Sequence, residues 1–173
     1  GVIRDVKRGG HGIQDPARVL INSCNVGMAL VGIRFSTFRA YSALRTLGFG
    51  ERSGVDLAGE EEGLLKPPEQ WLGTVPANVA IGQGIAVSPL QLATAISAIA
   101  NGGHLLKPYV VADVRNGNGD TIHQGKRRER AAVFSEGTAA YLREAMRRVV
   151  KEGTGKGADG SALTRQRVAA AVG

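Results

Sequence analysis

The segment from Ser88 to Asn101 constrains the fold more than any other part of the chain. Ser88 precedes Pro89, the usual order of an N-cap and a first helical residue. The eleven residues after Pro89 carry no charged side chain, and their apolar residues lie on every side of the predicted helix. A helix that is apolar all round is normally buried. We therefore expect a central helix that ends at Gly102-Gly103.

Caps and apolar spacing predict four further helices. They run from Pro16 to about Asn22 with Asp15 as N-cap, from Val26 onward, from Ser36 as N-cap to Gly48, and from Ser135 as N-cap to about Glu152. Apolar residues three and four positions apart give three of them one buried face. The expected faces are Val26, Ala29, Leu30 and Ile33; Ala40, Tyr41, Leu44 and Leu47; and Leu142, Ala145, Met146, Val149 and Val150.

A long loop and a hairpin complete the predicted elements. Residues 49–76 are rich in glycine, proline and acidic residues, so we expect a loop that packs through Leu57, Leu64, Leu65 and Trp71. Residues 105–115 and 121–124 predict two strands joined by a Gly-Asn turn. The fold class is therefore mixed α/β (α+β).

Length and composition indicate a globular chain. Its 173 residues, 43% of them hydrophobic, can form one domain or a large piece of one. Apolar runs long enough to span a membrane do not occur, and Gly1 does not open a signal peptide. We therefore expect the chain to begin in mid-protein.

The metal-binding residue types are few and separated in sequence. Cys24 is the only cysteine, which excludes an internal disulfide and a cysteine metal cluster. His11, His104 and His123 each stand in a Gly-rich or turn context. We expect them to be solvated loop residues, with no metal site and no cofactor.

The net charge of +7 permits contact with polyanions but does not identify one. The cationic cluster at 126–130 contains no aromatic residue for base stacking, and the cations at 143–151 fit the wet face of the last helix. We therefore expect no nucleic-acid binding. The glycines at 153–155 and 48–50 lack the spacing of a phosphate-binding loop or a dinucleotide fingerprint, and chain reversals are the simpler interpretation.

The triplet Ser23-Cys24-Asn25 lies between two predicted helices. Ser and Asn at a helix end normally cap it, and on these residues alone that interpretation is the simpler one. The alternative is that both side chains project into a cleft.

The order of several short blocks carries a resemblance. The blocks are 23–28 (SCNVGM), 48–50 (GFG), 54–60 (GVDLAGE), 63–65 (GLL), 82–93 (GQGIAVSPLQLA), 101–103 (NGG) and 152–155 (EGTG). Together they closely resemble the transpeptidase domain of class B penicillin-binding proteins, of the monofunctional cell-division or elongation type. The likeness divides the chain into a partial transpeptidase domain at 1–157 and a divergent tail at 158–173.

The resemblance implies a partial fold of the serine β-lactamase and transpeptidase type, comprising the helical half, a small hairpin and the last long helix. Enzymes of this family acylate a serine with a peptidoglycan stem peptide and cross-link it to a neighbouring strand. Their three motifs are Ser-x-x-Lys, Ser-x-Asn and Lys-Thr-Gly. Ser23 and Asn25 match the second and would be catalytic, whereas Cys24 would point away.

The Ser-x-x-Lys and Lys-Thr-Gly motifs do not occur in this sequence. We therefore expect a fragment whose parent protein binds stem peptides and β-lactams, and possible partners are division or elongation proteins. The parent would lie on the extracytoplasmic face of the inner membrane, anchored by a segment outside this chain. A non-catalytic scaffold and a D,D-carboxypeptidase or β-lactamase relative remain alternatives. The isolated fragment should be poorly soluble, because its central helix would leave apolar surface exposed.

Overall fold

A computed structural model describes residues 2–159. The helices in that range are α1 (Pro16–Ile21), α2 (Asn25–Arg34), α3 (Thr37–Thr46), α4 (Val75–Ala80), α5 (Pro89–Ala100) and α6 (Glu136–Glu152). The strands are β1 (His104–Leu106), β2 (Asp113–Arg115), β3 (Thr121–Gln124) and β4 (Glu129–Ala132), with 3-10 turns at Pro68–Gln70 and Lys156–Asp159. The mixed class is confirmed. The tail expected at 158–173 lies, from residue 160, outside the described residues.

The helix starts follow the caps read from the sequence. Asp15, Ser36, Ser88 and Ser135 each accept a hydrogen bond from the backbone N–H three residues on. At α5 the Gln91 side chain also accepts from the Ser88 N–H, which completes a capping box. Each helix start depends on residues within one turn of sequence, so the sequence predicts it well.

The strands form two separate antiparallel pairs. β2 pairs with β3 as the expected hairpin, whereas β1 pairs with β4. The predicted continuous strand at 105–115 is wrong, because the backbone N–H groups of Val110 and Val111 donate to the carboxylate of Asp56 at 2.7 and 2.9 Å. Donors used in this way are not available to a neighbouring strand.

Part of the cationic cluster at 126–130 lies in a strand and forms ion pairs within the fold. Its last two residues begin β4, where Glu129 contacts His104 at 2.9 Å and Arg130 pairs with Glu51. His104 and His123 lie in β1 and β3, so the expectation that they are loop residues is wrong.

α4 begins at the end of the segment predicted to be a loop, residues 49–76, and continues past it to Ala80. Pro76 occupies its first turn, where a proline is tolerated because that N–H has no helical partner. α4 packs on α2 at Gly32, where an added Cβ would lie 2.5 Å from the Ala80 Cβ and 2.9 Å from the Pro76 carbonyl oxygen. Gly32 thus sets how closely these two helices approach.

The expectation that α5 is buried on all sides is wrong within this chain. Gln91, Ala95 and Ala98 are buried against α6 and β1, but Leu92 is 47% exposed and Ile96 44%. The described residues cover one side of the helix only. An apolar strip therefore remains at the surface, as expected for the isolated fragment.

The other predicted faces are covered unevenly. In α2 only Ala29 is buried, and Val26, Leu30 and Ile33 are exposed. No residue of α3 is buried, although Tyr41 packs edge-on against Trp71 with ring centroids 6.4 Å apart. In α6, Ala139 and Ala145 are buried and the remaining predicted residues are half-buried.

The long loop is held by polar contacts more than by its own leucines. Trp71 is buried as expected, but Leu57 and Leu64 are more than half exposed. The buried Gln91 side chain donates to the carbonyl oxygens of Glu51 and Glu62 at 2.8 and 2.9 Å. Because Gln91 belongs to α5, these bonds tie the loop to the central helix.

Candidate active site

Ser23 reverses the chain between α1 and α2. Its φ of 50° makes it the one non-glycine residue with positive φ among residues 2–159. Its N–H donates to the Leu20 carbonyl at 3.1 Å and the next N–H, of Cys24, to the Val19 carbonyl at 2.9 Å. A non-glycine residue in this conformation is strained and persists where its surroundings hold it, often at functional sites.

The capping interpretation of the triplet does not hold for its serine. The N-cap of α2 is Cys24, whose Sγ accepts a hydrogen bond from the Gly27 N–H at 3.2 Å. Cys24 is buried, whereas Ser23 is exposed and its hydroxyl bonds to no backbone group in the described range. The two side chains therefore have different surroundings, in agreement with the expectation that the middle residue points away.

Thr154 is the side-chain partner of Ser23. The two hydroxyl oxygens lie 2.8 Å apart across 131 residues of sequence. The Thr154 N–H donates to the Ile21 carbonyl at 3.3 Å. At the preceding Gly153, an added Cβ would lie 2.3 Å from that same oxygen. The glycine turn after α6 therefore fits closely against the end of α1. The sequence predicted this turn as a chain reversal and as one of the family-like blocks, but not as a neighbour of Ser23.

Asp5 holds the triplet from the opposite side. Its Oδ1 accepts the Asn25 N–H at 2.8 Å, and its Oδ2 accepts the Cys24 thiol at 3.2 Å. Burial alone would raise the pKa of Asp5, but hydrogen bonds from Cys24, His11 and the backbone lower it below the ordinary value of 3.8. Asp5 is therefore a carboxylate at neutral pH.

The Asn25 side chain faces the N-terminal segment. Its Nδ2 donates to the Arg4 carbonyl at 3.4 Å, the long end of hydrogen bonding. Such a contact exchanges readily for a better acceptor, so the amide can serve a ligand. Ser23 and Asn25 as site residues stay a prediction from the motif, and the motif gives no sign of the residues that contact them.

His11 does not stand alone. Its Nδ1 lies 3.3 Å from the Asp5 carboxylate, and ligand atoms of Asp5, His11 and Cys24 all lie within 4.8 Å of one another. The expectation that each histidine is isolated from other metal-binding groups is therefore wrong for His11. These are the residues of the described range that could hold a metal ion together.

Among the residues that the structure describes, no helix combines the length and the apolar character needed to cross a bilayer.

Known proteins that resemble this chain share one family. The family described as the penicillin binding protein transpeptidase domain matches residues 2–170. Stage V sporulation protein D of Bacillus subtilis is 38% identical over 157 residues, covering 90% of this chain and 24% of that protein. The peptidoglycan D,D-transpeptidase MrdA of Acinetobacter baumannii is 31% identical over 163 residues, covering 89% of this chain and 24% of that protein.

Solved structures share the fold. The apo crystal structure of penicillin binding protein 3 from Mycobacterium tuberculosis superposes with a TM-score of 0.78 at 34% identity, covering 85% of this chain and 34% of that chain. The chain spans about a quarter of the length of the two relatives above. It therefore belongs to the penicillin-binding protein transpeptidase family, as part of one transpeptidase domain.

Proposed function

We propose that this chain supplies the Ser-x-Asn motif of a peptidoglycan D,D-transpeptidase, with Ser23 and Asn25 as catalytic residues. The observation that supports this most is the exposed Ser23 hydroxyl, held on a strained backbone by Thr154. A capping serine would bond to its own helix, and this one does not.

The reaction proposed for the complete protein is an acyl transfer. A serine in a Ser-x-x-Lys motif outside this chain attacks the carbonyl carbon of the penultimate D-alanine of a stem peptide. The amide bond breaks, and the terminal D-alanine leaves with a proton on its amine. An amine of a neighbouring strand then takes the acyl group and restores the serine hydroxyl. A β-lactam acylates the same serine through opening of its ring.

Ser23 and Asn25 act around that serine. The Ser23 hydroxyl hydrogen-bonds the catalytic lysine and relays a proton to the leaving amine, which is general acid catalysis by a positioned group. The Asn25 amide holds the lysine and donates to the substrate. Ser23 is not the acylated serine, because no lysine follows it three residues on.

Thr154 positions Ser23 in this proposal. Its hydroxyl is the side-chain partner that the described residues offer Ser23. The Gly153-Thr154-Gly155 turn thereby links α6 to the Ser-x-Asn motif.

The cellular setting follows from the same family. The parent protein would act on the extracytoplasmic face of the membrane, anchored by a segment not in this chain, with division or elongation proteins as partners. The domain is expected to continue to about residue 157 before the tail.

A fluorescent penicillin tests the proposal. The full-length protein that contains this chain should be labelled covalently, and the isolated 173-residue chain should not, because the nucleophile lies outside it. A folded full-length protein that takes no label would refute the proposal. Label on the isolated chain would show that the nucleophile has been misplaced.

A further inference from the structure

We propose that a small cationic cavity beside the β2 and β3 hairpin binds the phosphate group of a sugar phosphate. Lys107, Lys126 and Arg128 line this cavity, whose volume is about 110 Å³. They come from the segment after β1 and from the segment that joins β3 to β4. The inference rests on this geometry and does not depend on the proposed transpeptidase activity.

The three cations of the cavity lack a carboxylate partner. They form none of the ion pairs found among residues 2–159. Asp56 is the acidic residue of the lining, and its two oxygens accept the N–H groups of Val110 and Val111 at 2.7 and 2.9 Å. Because that carboxylate serves the backbone, the lining keeps an excess of positive charge. A concave surface of one sign of charge attracts ligands of the opposite sign.

The backbone holds the two cationic segments together before any ligand binds. The Lys107 N–H donates to the Arg128 carbonyl at 2.8 Å, and the Gly125 N–H donates to the Ala112 carbonyl at 2.8 Å. The Lys107 side chain passes over Gly54, where an added Cβ would lie 3.3 Å from its Cε. Since these contacts fix the segments, an anion has only side chains to order, which lowers the cost of binding.

Tyr109 gives the cavity an apolar wall. Gly125 makes room for it, because an added Cβ at that glycine would lie 2.6 Å from two carbons of the Tyr109 ring. The Tyr109 side chain is 48% exposed, so part of the ring can receive a ligand, and Pro108 continues the wall. Aromatic rings offer a large apolar area, and the C–H groups on the faces of a sugar ring can pack on it.

The charges favour a phosphate monoester over a carboxylate. The monoester carries about two negative charges at pH 7, and its three terminal oxygens accept hydrogen bonds from several donors at once. Lysine and arginine are common phosphate-binding side chains. A carboxylate has a single charge and would offset less of the positive excess. The cavity is smaller than the roughly 300 to 1,000 Å³ of pockets for drug-sized ligands, which suits one such group.

Calorimetric titration of the full-length protein tests the cavity, with glucose 1-phosphate, inorganic phosphate and glucose as probes. We expect glucose 1-phosphate to bind at one site, about two- to tenfold more tightly than inorganic phosphate because its ring packs on Tyr109. Glucose should not bind, and the affinity for glucose 1-phosphate should fall as the salt concentration rises. No binding of glucose 1-phosphate, or equal binding of glucose, would overturn the proposal.

Matched substitutions separate the cavity from the overall charge of the protein. Lys126→Gln and Arg128→Gln should each weaken glucose 1-phosphate binding about tenfold, the effect of one lost hydrogen bond from a charged group. Lys151→Gln removes the same charge from an exposed position on α6 and should bind like the wild type. Tyr109→Leu should reduce the preference for glucose 1-phosphate over inorganic phosphate.

Melting temperatures serve as the folding control for these variants. If Arg128→Gln does not fold, Lys126→Gln still decides. Equal weakening in Lys126→Gln and Lys151→Gln would assign the binding to net charge and overturn the proposal.

The same phosphate chemistry can come from a soluble sugar phosphate or from a lipid headgroup. Vesicles of phosphatidylcholine with phosphatidylinositol 4-phosphate distinguish them, because this lipid carries a phosphate monoester on a ring. Sedimentation of Lys151→Gln but not of Lys126→Gln with these vesicles would support the cavity and place its phosphate on a lipid. Binding of glucose 1-phosphate without sedimentation would support the cavity with a soluble ligand.

Discussion

Residues from opposite ends of the chain hold Ser23 and its two neighbours through hydrogen bonds. Thr154 bonds its hydroxyl, and Asp5 holds the two residues that follow it. Positive φ at a serine is costly unless such neighbours enforce it. We therefore expect the reactivity of the motif to respond to changes at Thr154 even where the fold does not.

Thr154→Val tests the hydrogen bond between Thr154 and Ser23. It keeps the shape of the side chain and removes the hydroxyl, so the acylation rate of the full-length protein by penicillin should fall about tenfold, the effect of one lost hydrogen bond. Thr154→Ser keeps the hydroxyl and should stay within about twofold of wild type. Equal rates for the two variants at equal melting temperatures would contradict this role.

Asp56 should make its loop sensitive to acid. The N–H groups of Val110 and Val111 hold the pKa of this carboxyl below its ordinary 3.8. Because the pKa of Asp56 is lower in the folded protein than in the unfolded chain, its carboxylate stabilises the folded state above pH 3.8. This stabilisation is lost as the pH falls through the pKa of the folded protein. The protection of the Val110 and Val111 amides against exchange, relative to their intrinsic exchange rates at each pH, should therefore fall below about pH 4.

Asp56→Asn is the control for that acid sensitivity. An amide side chain does not titrate, so the variant should lose the acid-dependent step in exchange at these two amides. A step of the same size in Asp56→Asn would assign it to another carboxyl.

The sequence predicts some residues of the candidate site but not their contacts. Ser23 and Asn25 stand in a recognisable motif, but Asp5, His11 and Thr154 meet the triplet only through the tertiary fold. The contact between Ser23 and Thr154 spans 131 residues, and no local pattern encodes it. The glycine block around Thr154 was visible in the sequence, although its place beside Ser23 was not.

At the scale of elements, α2 and α4 meet at a glycine. Gly32→Ala would place a methyl group 2.5 Å from Ala80, so we expect a loss of about 1 to 3 kcal/mol of unfolding free energy. Gly137→Ala is a matched control in the first turn of α6, where nothing lies within 4 Å of the new Cβ.

The control should change stability in the opposite direction. Alanine suits a helix better than glycine by about 0.5 to 1 kcal/mol, so Gly137→Ala should be neutral or stabilising. Denaturant unfolding of both variants measures the difference. A destabilisation of equal size in the two would mean that the α2 and α4 contact is not what Gly32 serves.

Helix starts were predictable and strand partners were not. A serine cap and its N–H partner lie three residues apart, so Ser36, Ser88 and Ser135 could be read directly. The pairing of β1 with β4 joins residues about 25 apart and encloses the β2 and β3 hairpin in sequence. α4 was not predicted, because its six residues are too few to show a helical repeat of apolar positions.

At the scale of the whole molecule, the chain shows the surface of a domain that is partly uncovered. Leu92 and Ile96 on α5 and Val26, Leu30 and Ile33 on α2 are exposed apolar residues. The sequence predicted these faces to be buried, because the spacing of apolar residues reflects burial in the complete domain. The chain itself covers only part of them, in keeping with a span of about a quarter of its relatives.

The central proposal for this chain is that Ser23 is a catalytic residue and not the nucleophile. The measurement is the rate of acylation of the full-length protein by a fluorescent penicillin, compared between Ser23→Ala and Ser42→Ala. Ser42 is an exposed serine on α3, so its variant should react like the wild type. Ser23→Ala should react about 100-fold more slowly, the size of a general acid–base contribution, yet still form the covalent adduct. An unchanged rate for Ser23→Ala would contradict the assignment.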